Sequence, residues 1–442
     1  MDQERLQLSK NAELIARVAR DAGLDFYPVH FEICPAETLY TFGAYGMPAR
    51  FAHWSFGKAF YRMKAQYDFN LSKLYEMVIN TNPAYAFLLD GNHALQNKLI
   101  MSHVYAHVDF FKNNYYFCRT DQNMLDRMAV HAEKIRDYEI RYGRETVEKT
   151  LDAVLAIQEH VNPRNHIHAS LFSRKPLKPS FTLPSPYDDL WMREEQEEGR
   201  IENDAEEDLL LYLAYHSPEL EDWQRDILSI IRAESLYFYP QMETKIINEG
   251  WATFWHGRIM RSLDLSDGEF VEFSLMHSQV IQPSARSINP YLLGLRIWEK
   301  LEKEYAIEDL FEIRKQENDL SFIRNYLDKE LIEQLQLFNF RKVGTQWQVT
   351  DLEWESVKGE LLNSLVHGGH PRITVKERDF AGRGILYLYH HHEGQDLDIR
   401  YLEKTLVLMQ TLWEKGIYLE TVLDGKKVRF ECEKGWVKRE QL

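Results

Sequence analysis

Residues 248–256, Asn-Glu-Gly-Trp-Ala-Thr-Phe-Trp-His, place a carboxylate and an imidazole in an otherwise apolar, aromatic stretch. The stretch predicts a helix, in which Glu249 and His256, seven residues apart, lie two turns apart on the same face. The word His-Val-Tyr-Ala-His repeats the arrangement, because His103 and His107 are four residues apart and also share a helix face. A carboxylate and three imidazoles are therefore predicted to meet inside one core.

Longer sequence segments around these residues resemble those of a known family. They are DFYPVHFEICPAE from residue 25, YGMPARFAHWSFGK from 45, NPAYAFLLDGN from 82, HVYAHVDFFKNN from 103, NEGWATFWH from 248, SINPYLLGLRIWEKLE from 287 and LYLYHHHEGQDLDIRYLEKTL from 386. In these words the chain resembles the SpoVR family, the stage V sporulation protein R group. The resemblance implies a role in spore cortex formation in endospore-forming bacteria, with relatives in bacteria that do not sporulate. It implies no established reaction.

Composition limits the class of protein. The 442 residues suffice for two or three domains, and 44% of them are hydrophobic, as in a globular chain with a large core. The formal net charge of −16 argues against nucleic-acid binding, which needs a basic face. The three cysteines are too few for a disulfide framework or a cysteine-rich zinc site, which fits a reducing compartment.

The distribution of apolar residues indicates where in the cell the protein is found. The first 26 residues carry charges throughout and lack the apolar run of a signal peptide. No window approaches the roughly 20 apolar residues needed to span a bilayer. We therefore expect a cytoplasmic protein that is not integral to the membrane. It would reach the cortex through precursors, enzymes or a protein partner in cortex assembly.

Helical periodicity dominates the first three quarters of the chain and short strands dominate the end. Helices are predicted over 6–23, 55–78, 92–111, 122–142, 145–160, 349–367 and 397–413, and strands over 372–375, 385–391, 417–422 and 428–432. Asp424-Gly425 predicts a hairpin between the last two strands. The expected fold class is mainly α with a C-terminal α+β domain, and a zincin-like helical core is one alternative within it.

Four regions are expected along the chain. They are an N-terminal helical region, 1–185, with His103 and His107; an acidic, linker-like segment, 186–208; a second helical region, 209–340, with Glu249 and His256, packing on the first; and a C-terminal α+β domain, 341–442. Eleven acidic and two basic residues between positions 188 and 208 predict that this stretch is solvated.

The ligand pattern is similar to that of gluzincin metallopeptidases. There, two histidines on one helix turn bind zinc, a glutamate between them polarises water, and a glutamate from a later helix is the third ligand. Here His103, His107 and Glu249 match the ligands, but position 104 is valine, so the usual general base is missing. The 142 residues from His107 to Glu249 also exceed the usual spacing.

Two interpretations of this centre remain open. In one, His103, His107, Glu249 and His256 hold zinc or another divalent metal, with His256 as the fourth ligand or as a hydrogen-bonding partner. In the other, the four residues form a buried hydrogen-bonded cluster without a metal. A replacement base or ligand could come from Glu243 or from the strand-like words with His30 and Glu32. His53 and the run 390–392 are weaker candidates, explained by core burial and by strand exposure.

Two functions follow from these interpretations. The first is a regulatory or interaction protein that controls synthesis of the cortex peptidoglycan and uses the polar centre structurally. The second is a zincin-like, metal-dependent hydrolase with His103, His107 and Glu249 as ligands and a base that the sequence does not identify. Because Val104 stands where the general base would be, the first function is preferred.

Overall fold

The computed structural model describes residues 2–68, 76–164, 207–283, 288–343, 346–351 and 353–442. Most of the proline-rich stretch after Val161, and residues 186–206 of the predicted acidic segment, lie outside these ranges. The helices are α1 (Asp2–Asp21), α2 (Ala36–Tyr45), α3 (Trp54–Asp68), α4 (Ala94–Asn113), α5 (Met124–Tyr142), α6 (Arg144–Leu155), α7 (Leu209–His216), α8 (Asp222–Glu243), α9 (Lys245–Ser262), α10 (Asp267–Val280), α11 (Pro290–Glu304), α12 (Ile307–Gln316), α13 (Asp319–Tyr326), α14 (Lys329–Gln334), α15 (Trp354–Leu365) and α16 (Ile399–Trp413). The strands are β1 (Val29–Cys34), β2 (Glu76–Ile79), β3 (Ala84–Leu89), β4 (Asn339–Val343), β5 (Gln346–Asp351), β6 (Ile373–Phe380), β7 (Ile385–His390), β8 (Ile417–Leu423), β9 (Lys426–Glu433) and β10 (Trp436–Gln441).

The predicted fold class, mainly α with a C-terminal sheet, is confirmed. The helix predicted over 55–78 is wrong in its last part, because α3 ends at Asp68 and Glu76–Ile79 is strand β2. The helix predicted over 349–367 begins too early, since its first residues belong to β5. The first error involves an apolar run of only a few residues, for which periodicity does not separate a strand from a helix end.

The described residues group into two compact units that interleave along the chain. The first unit contains Met1–Ala132 and Pro240–Gly368, and the second contains Glu133–Tyr239 and Gly369–Leu442. The linear division at residues 186, 209 and 341 stays a prediction. Both helices that carry the candidate ligands, α4 and α9, belong to the first unit.

The core of the first unit is built on α4 and α9. Every residue of α4 from Leu99 to Phe111 is buried, and so is every residue of α9 from Gly250 to Gly257. Helices enclosed on all sides in this way are interior helices, so their polar side chains must find partners within the protein. A three-stranded sheet in the order β1-β3-β2, with β1 parallel and β2 antiparallel to β3, precedes α4, and β4 and β5 form a separate hairpin.

The second unit contains a five-stranded sheet in the order β10-β9-β8-β7-β6. Strands β7 and β8 are parallel, with α16 as their connection, and the other neighbours are antiparallel. The predicted hairpin at Asp424-Gly425 is confirmed, and both residues have the positive φ that a tight hairpin turn requires. Strand β10 was not predicted, because nearly all of its side chains are exposed and it lacks the apolar alternation of a half-buried strand. No helix in the described ranges combines the length and apolar character needed to cross a membrane.

Candidate metal centre

The glycine of the Asn-Glu-Gly word lets two helix backbones touch. A Cβ atom added to Gly250 would lie 2.4 Å from Cα of Gly294 on α11, and a Cβ on Gly294 would lie 2.2 Å from the carbonyl oxygen of Ile246. Only glycine fits at such a backbone contact. The contact sets α11 directly against α9, and Tyr291 of α11 stacks on His103 with ring centroids 6.0 Å apart.

The first turn of α9 is capped from another helix. Thr244 precedes α9 but makes no side-chain cap bond, and Asp319 accepts hydrogen bonds from the backbone N–H groups of Ile246 and Ile247 at 2.9 and 2.8 Å. Burial raises the pKa of Asp319 to about 7, against the lowering effect of these N–H donors. The cap fixes the turn from which Asn248 and Glu249 project.

A buried hydrogen bond joins the two ligand-bearing helices. The indole Nε1–H of Trp251 on α9 donates to Oδ2 of Asp109 on α4 at 2.8 Å. Asp109 also accepts from the backbone N–H of Asp25 at 2.8 Å, and the guanidinium of Arg314 lies 3.4 Å away. Burial raises the pKa of Asp109 to about 6, although Arg314 opposes the shift. Since Asp109 follows His107 by two residues and Trp251 follows Glu249 by two, this bond aligns the two sets of candidate ligands.

Three candidate ligand atoms face one another at the contact of α4 and α9. Oε2 of Glu249 lies 3.5 Å from Nε2 of His103 and 3.3 Å from Nε2 of His107. These distances exceed the range of about 2.7 to 3.2 Å for a normal N–H···O hydrogen bond. Two ligands bound at about 2.0 to 2.1 Å in a tetrahedral site would lie about 3.3 to 3.4 Å apart. The spacing therefore suits ligands around one ion better than a directly hydrogen-bonded cluster.

The far nitrogen of each imidazole is held by a partner. Nδ1 of His107 lies 2.9 Å from Oδ1 of Asn248, and Nδ1 of His103 lies 2.8 Å from Nδ1 of His256. The other ring nitrogen of His256, Nε2, lies 2.8 Å from Nδ1 of His277 on α10. Hydrogen bonds of this kind orient metal-binding imidazoles and fix which nitrogen carries the proton.

The charge of the centre is set by Glu249. Burial raises the pKa of the Glu249 carboxyl, but the neighbouring His103 and His107 outweigh burial and hold that pKa well below its usual range. Glu249 is therefore an anion at neutral pH. Its side chain keeps 20% of its exposure, against 6% for His103 and 7% for His107, but Oε2, the oxygen that faces the two imidazoles, is itself buried.

The structure brings some of the predicted residues together and leaves others elsewhere. The group whose ligand atoms lie within 4.8 Å of one another is His103, His107 and Glu249. His256 lies next to this group, with both ring nitrogens in hydrogen bonds. His53 bonds to the Ser55 hydroxyl at 2.7 Å.

The remaining candidates also lie outside that group. His30 and Glu32 are on strand β1, and Glu243 ends α8. In the second unit, Nδ1 of His390 lies 2.8 Å from the Thr421 hydroxyl, and His392 bonds to Asp396.

Sequence reasoning missed three residues of the centre. Asn248 precedes Glu249 in the segment 248–256, and its amide side chain could have been recognised as a hydrogen-bond partner for a ligand. His277 follows His256 by 21 residues and Asp319 follows Glu249 by 70, and neither separation has a helical period that points to the site. Only the packing of α10 and α13 brings these two residues into contact with α9.

The burial of His256 predicts a pH-dependent stability. Burial and the nearby His103 hold the pKa of His256 well below its ordinary value, so the folded protein leaves this imidazole neutral. The unfolded chain takes up a proton there below about pH 6.5, so this contribution to the free energy of unfolding falls as the pH drops from about 7 to 5. In His256→Gln, whose amide does not titrate, the stability deficit relative to the wild type should narrow over that range. Urea unfolding at several pH values measures it, and a deficit that stays constant would contradict the expectation.

Comparison with known proteins gives two matches. A family model described as "SpoVR like protein" matches residues 2–370. "Uncharacterized protein YcgB" of Escherichia coli (strain K12) is 31% identical over 460 residues, covering 92% of this chain and 90% of that protein. No solved structure gives a significant match. The family match includes His103, His107, Glu249, His256 and His277, and it ends where the second part of the second unit begins.

Proposed function

The chain belongs to the SpoVR family of sporulation-associated proteins, and from the geometry of its buried centre we propose that His103, His107 and Glu249 bind one divalent metal ion in a zincin-like centre. The observation that carries the proposal is the spacing of the three ligand atoms, 3.3 and 3.5 Å from Glu249 Oε2 to the two imidazoles. A hydrogen-bonded far nitrogen on each imidazole supports it.

The donor set fits zinc better than the hard cations. Two imidazole nitrogens and one carboxylate oxygen are common zinc ligands, whereas calcium and magnesium prefer all-oxygen sites. A zinc ion bound here would act as a Lewis acid toward water or a carbonyl group. Asn248 holds His107 in orientation, and the anionic Glu249 balances part of the cation's charge.

The role that we favour is regulatory. Val104 occupies the position of the usual general base, and its side chain is fully buried in the hydrophobic core. A peptidase of the gluzincin type needs a carboxylate there to take a proton from water. We therefore propose that the protein acts from the cytoplasm in spore cortex formation as a regulatory or interaction factor, with the metal centre as the element that a protein partner or small ligand senses.

A metal-dependent hydrolase is the second candidate. The group of three ligand residues favours it, because catalytic zinc sites have three protein ligands and keep the fourth position for water or substrate. Hydrolysis of a peptide or a peptidoglycan fragment that needs the metal ion and these ligands would promote this candidate over the regulatory one.

Metal content tests the shared premise of both candidates. We expect the purified full-length chain, stripped with a chelator and reloaded with excess Zn²⁺, to retain about one zinc ion per chain after dialysis, as a three-ligand site predicts. Magnesium should not compete at equal concentration, because this donor set contains two nitrogens. Elemental analysis measures both. Zinc retention far below one ion per chain, or zinc retained equally when His103 and His107 are both replaced by leucine, would refute the metal centre.

A further inference from the structure

We propose that His277 is a positioning residue, which acts through His256 to keep the Nε2 lone pair of His103 directed at the metal ion. The inference rests on the proposed metal centre and extends it to a residue outside the ligand group. Three imidazoles form one chain of hydrogen bonds. Nδ1 of His103 lies 2.8 Å from Nδ1 of His256, and Nε2 of His256 lies 2.8 Å from Nδ1 of His277.

The direction of this chain decides whether His103 can bind a cation. A neutral imidazole carries one N–H, so a ring that donates from one nitrogen accepts at the other. If His103 binds through Nε2, its proton is on Nδ1 and His256 accepts at Nδ1. The proton of His256 is then on Nε2 and is donated to Nδ1 of His277, which must be an acceptor.

The opposite direction satisfies the same two bonds and closes the site. His277 then donates from Nδ1 to His256, His256 donates from Nδ1 to His103, and the His103 proton is on Nε2. That proton points toward Oε2 of Glu249, which lies 3.5 Å from Nε2 of His103. It therefore occupies the space that a cation would need. One direction of the hydrogen-bond chain therefore permits a cation to bind to His103, and the other prevents it. The ring nitrogen of His277 that carries the proton distinguishes the two directions.

The position of the ring proton of His107 is fixed. Its Nδ1 lies 2.9 Å from Oδ1 of Asn248, and a carbonyl oxygen can only accept. The proton of His107 is therefore on Nδ1 in both directions of the chain, and its Nε2 is always a potential ligand. Because only His103 can carry its proton on either ring nitrogen, cation binding is controlled through His103. The residue that ends its hydrogen-bond chain is His277.

The position of His277 suits that role. It lies on α10, where Phe273, one turn earlier, is 1% exposed and anchors the helix in the core. His277 itself is only half-buried, whereas His103 and His256 are buried, so it is the outermost of the three imidazoles. Replacing His277 therefore changes the outermost hydrogen-bond partner and leaves the buried anchor of α10 in place.

Two variants of His277 separate positioning from simple packing. His277→Asn keeps an acceptor oxygen close to the place of Nδ1, whereas His277→Leu fills the site without one. Loss of a ligand's direct hydrogen-bond partner costs about 10- to 100-fold in metal affinity, and His277 is one bond further out, so we expect His277→Leu to weaken zinc binding by up to about that much and His277→Asn to weaken it distinctly less. Competition with a chelator measures the affinities, and His131→Leu, at a half-buried histidine on α5, is the control for a histidine lost elsewhere.

Nitrogen-15 NMR of the histidine rings gives a second readout. In the zinc-loaded protein, His256 and His277 should both carry their proton on Nε2, and in His277→Asn the His256 ring should keep that state. The inference is overturned if His277 carries its proton on Nδ1 with zinc bound, or if the leucine and asparagine variants bind zinc equally. A wild type that binds no zinc would instead refute the proposed metal centre, so the two failures are distinguishable.

Discussion

Glu249→Gln should remove high-affinity zinc binding while the protein stays folded. The amide keeps the volume of the side chain and removes the anion that faces both His103 and His107. The loss should exceed the roughly 10- to 100-fold cost of an outer hydrogen-bond partner, because a direct ligand is lost. Zinc affinity measured by chelator competition tests this, and far-ultraviolet circular dichroism checks that the helices remain.

Thermal unfolding separates a metal centre from a purely structural cluster. The neighbouring imidazoles hold the pKa of Glu249 well below its usual range, so its ionised form stabilises the folded state above the unfolded pKa, and this contribution is lost as the pH falls. The metal-free variant should therefore melt below the metal-free wild type at neutral pH. Zinc at about 100 times its dissociation constant should stabilise the wild type by about 2.7 kcal/mol and leave the variant unchanged.

Glu32→Gln is the matched control for these measurements. Glu32 is an exposed carboxylate on β1 and lies outside the ligand group, so its amide variant should bind zinc as the wild type does. If zinc raises the melting temperature of Glu249→Gln as much as that of Glu32→Gln, Glu249 is not a ligand.

Gly250→Ala should strongly destabilise the first unit. The added methyl group would lie 2.4 Å from backbone atoms of Gly294, and a backbone cannot move aside as a flexible side chain can. Separating α9 from α11 should cost at least about 3 kcal/mol, the upper part of the range for overpacking a core. Because Glu249 is the preceding residue, zinc affinity should fall as well. Urea unfolding of the metal-free protein measures the stability term alone.

A second glycine supplies the control for that experiment. Gly359 lies within α15, and a Cβ atom there would meet nothing within 4 Å. Gly359→Ala should therefore stabilise the protein, by about 0.5 to 1 kcal/mol, because alanine loses less backbone freedom in a helix. Equal stability of Gly250→Ala and Gly359→Ala would show that the helix contact tolerates a side chain.

Local patterns in the sequence predicted the parts of the centre that lie on one helix. The four-residue spacing places His103 and His107 on one face of α4, and both Nε2 atoms do face Glu249. The role of these atoms as metal ligands stays a prediction. The helix periodicity also gave α4 and α5 to within two residues at each end.

Contacts between distant segments could not be predicted in this way. The cap by Asp319 and the bond from His256 to His277 depend on how α13 and α10 pack against α9, which no periodicity encodes. The pairing of Gly250 with Gly294 likewise becomes visible only when two helices are placed together. The interleaving of the two units is a property of tertiary contacts and leaves no mark on composition.

Interleaving also sets an order of events on the ribosome. The first unit is interrupted after Ala132 and resumes at Pro240, so Glu249 is synthesised 142 residues after His107. At about 5 to 20 residues per second, the nascent chain would present its two imidazoles roughly 7 to 30 seconds before the carboxylate. During that interval α4 lacks the apolar cover that α9 provides. Metal loading would then follow completion of the second segment, and a ribosome stalled between the segments would display an unfinished core to chaperones and proteases.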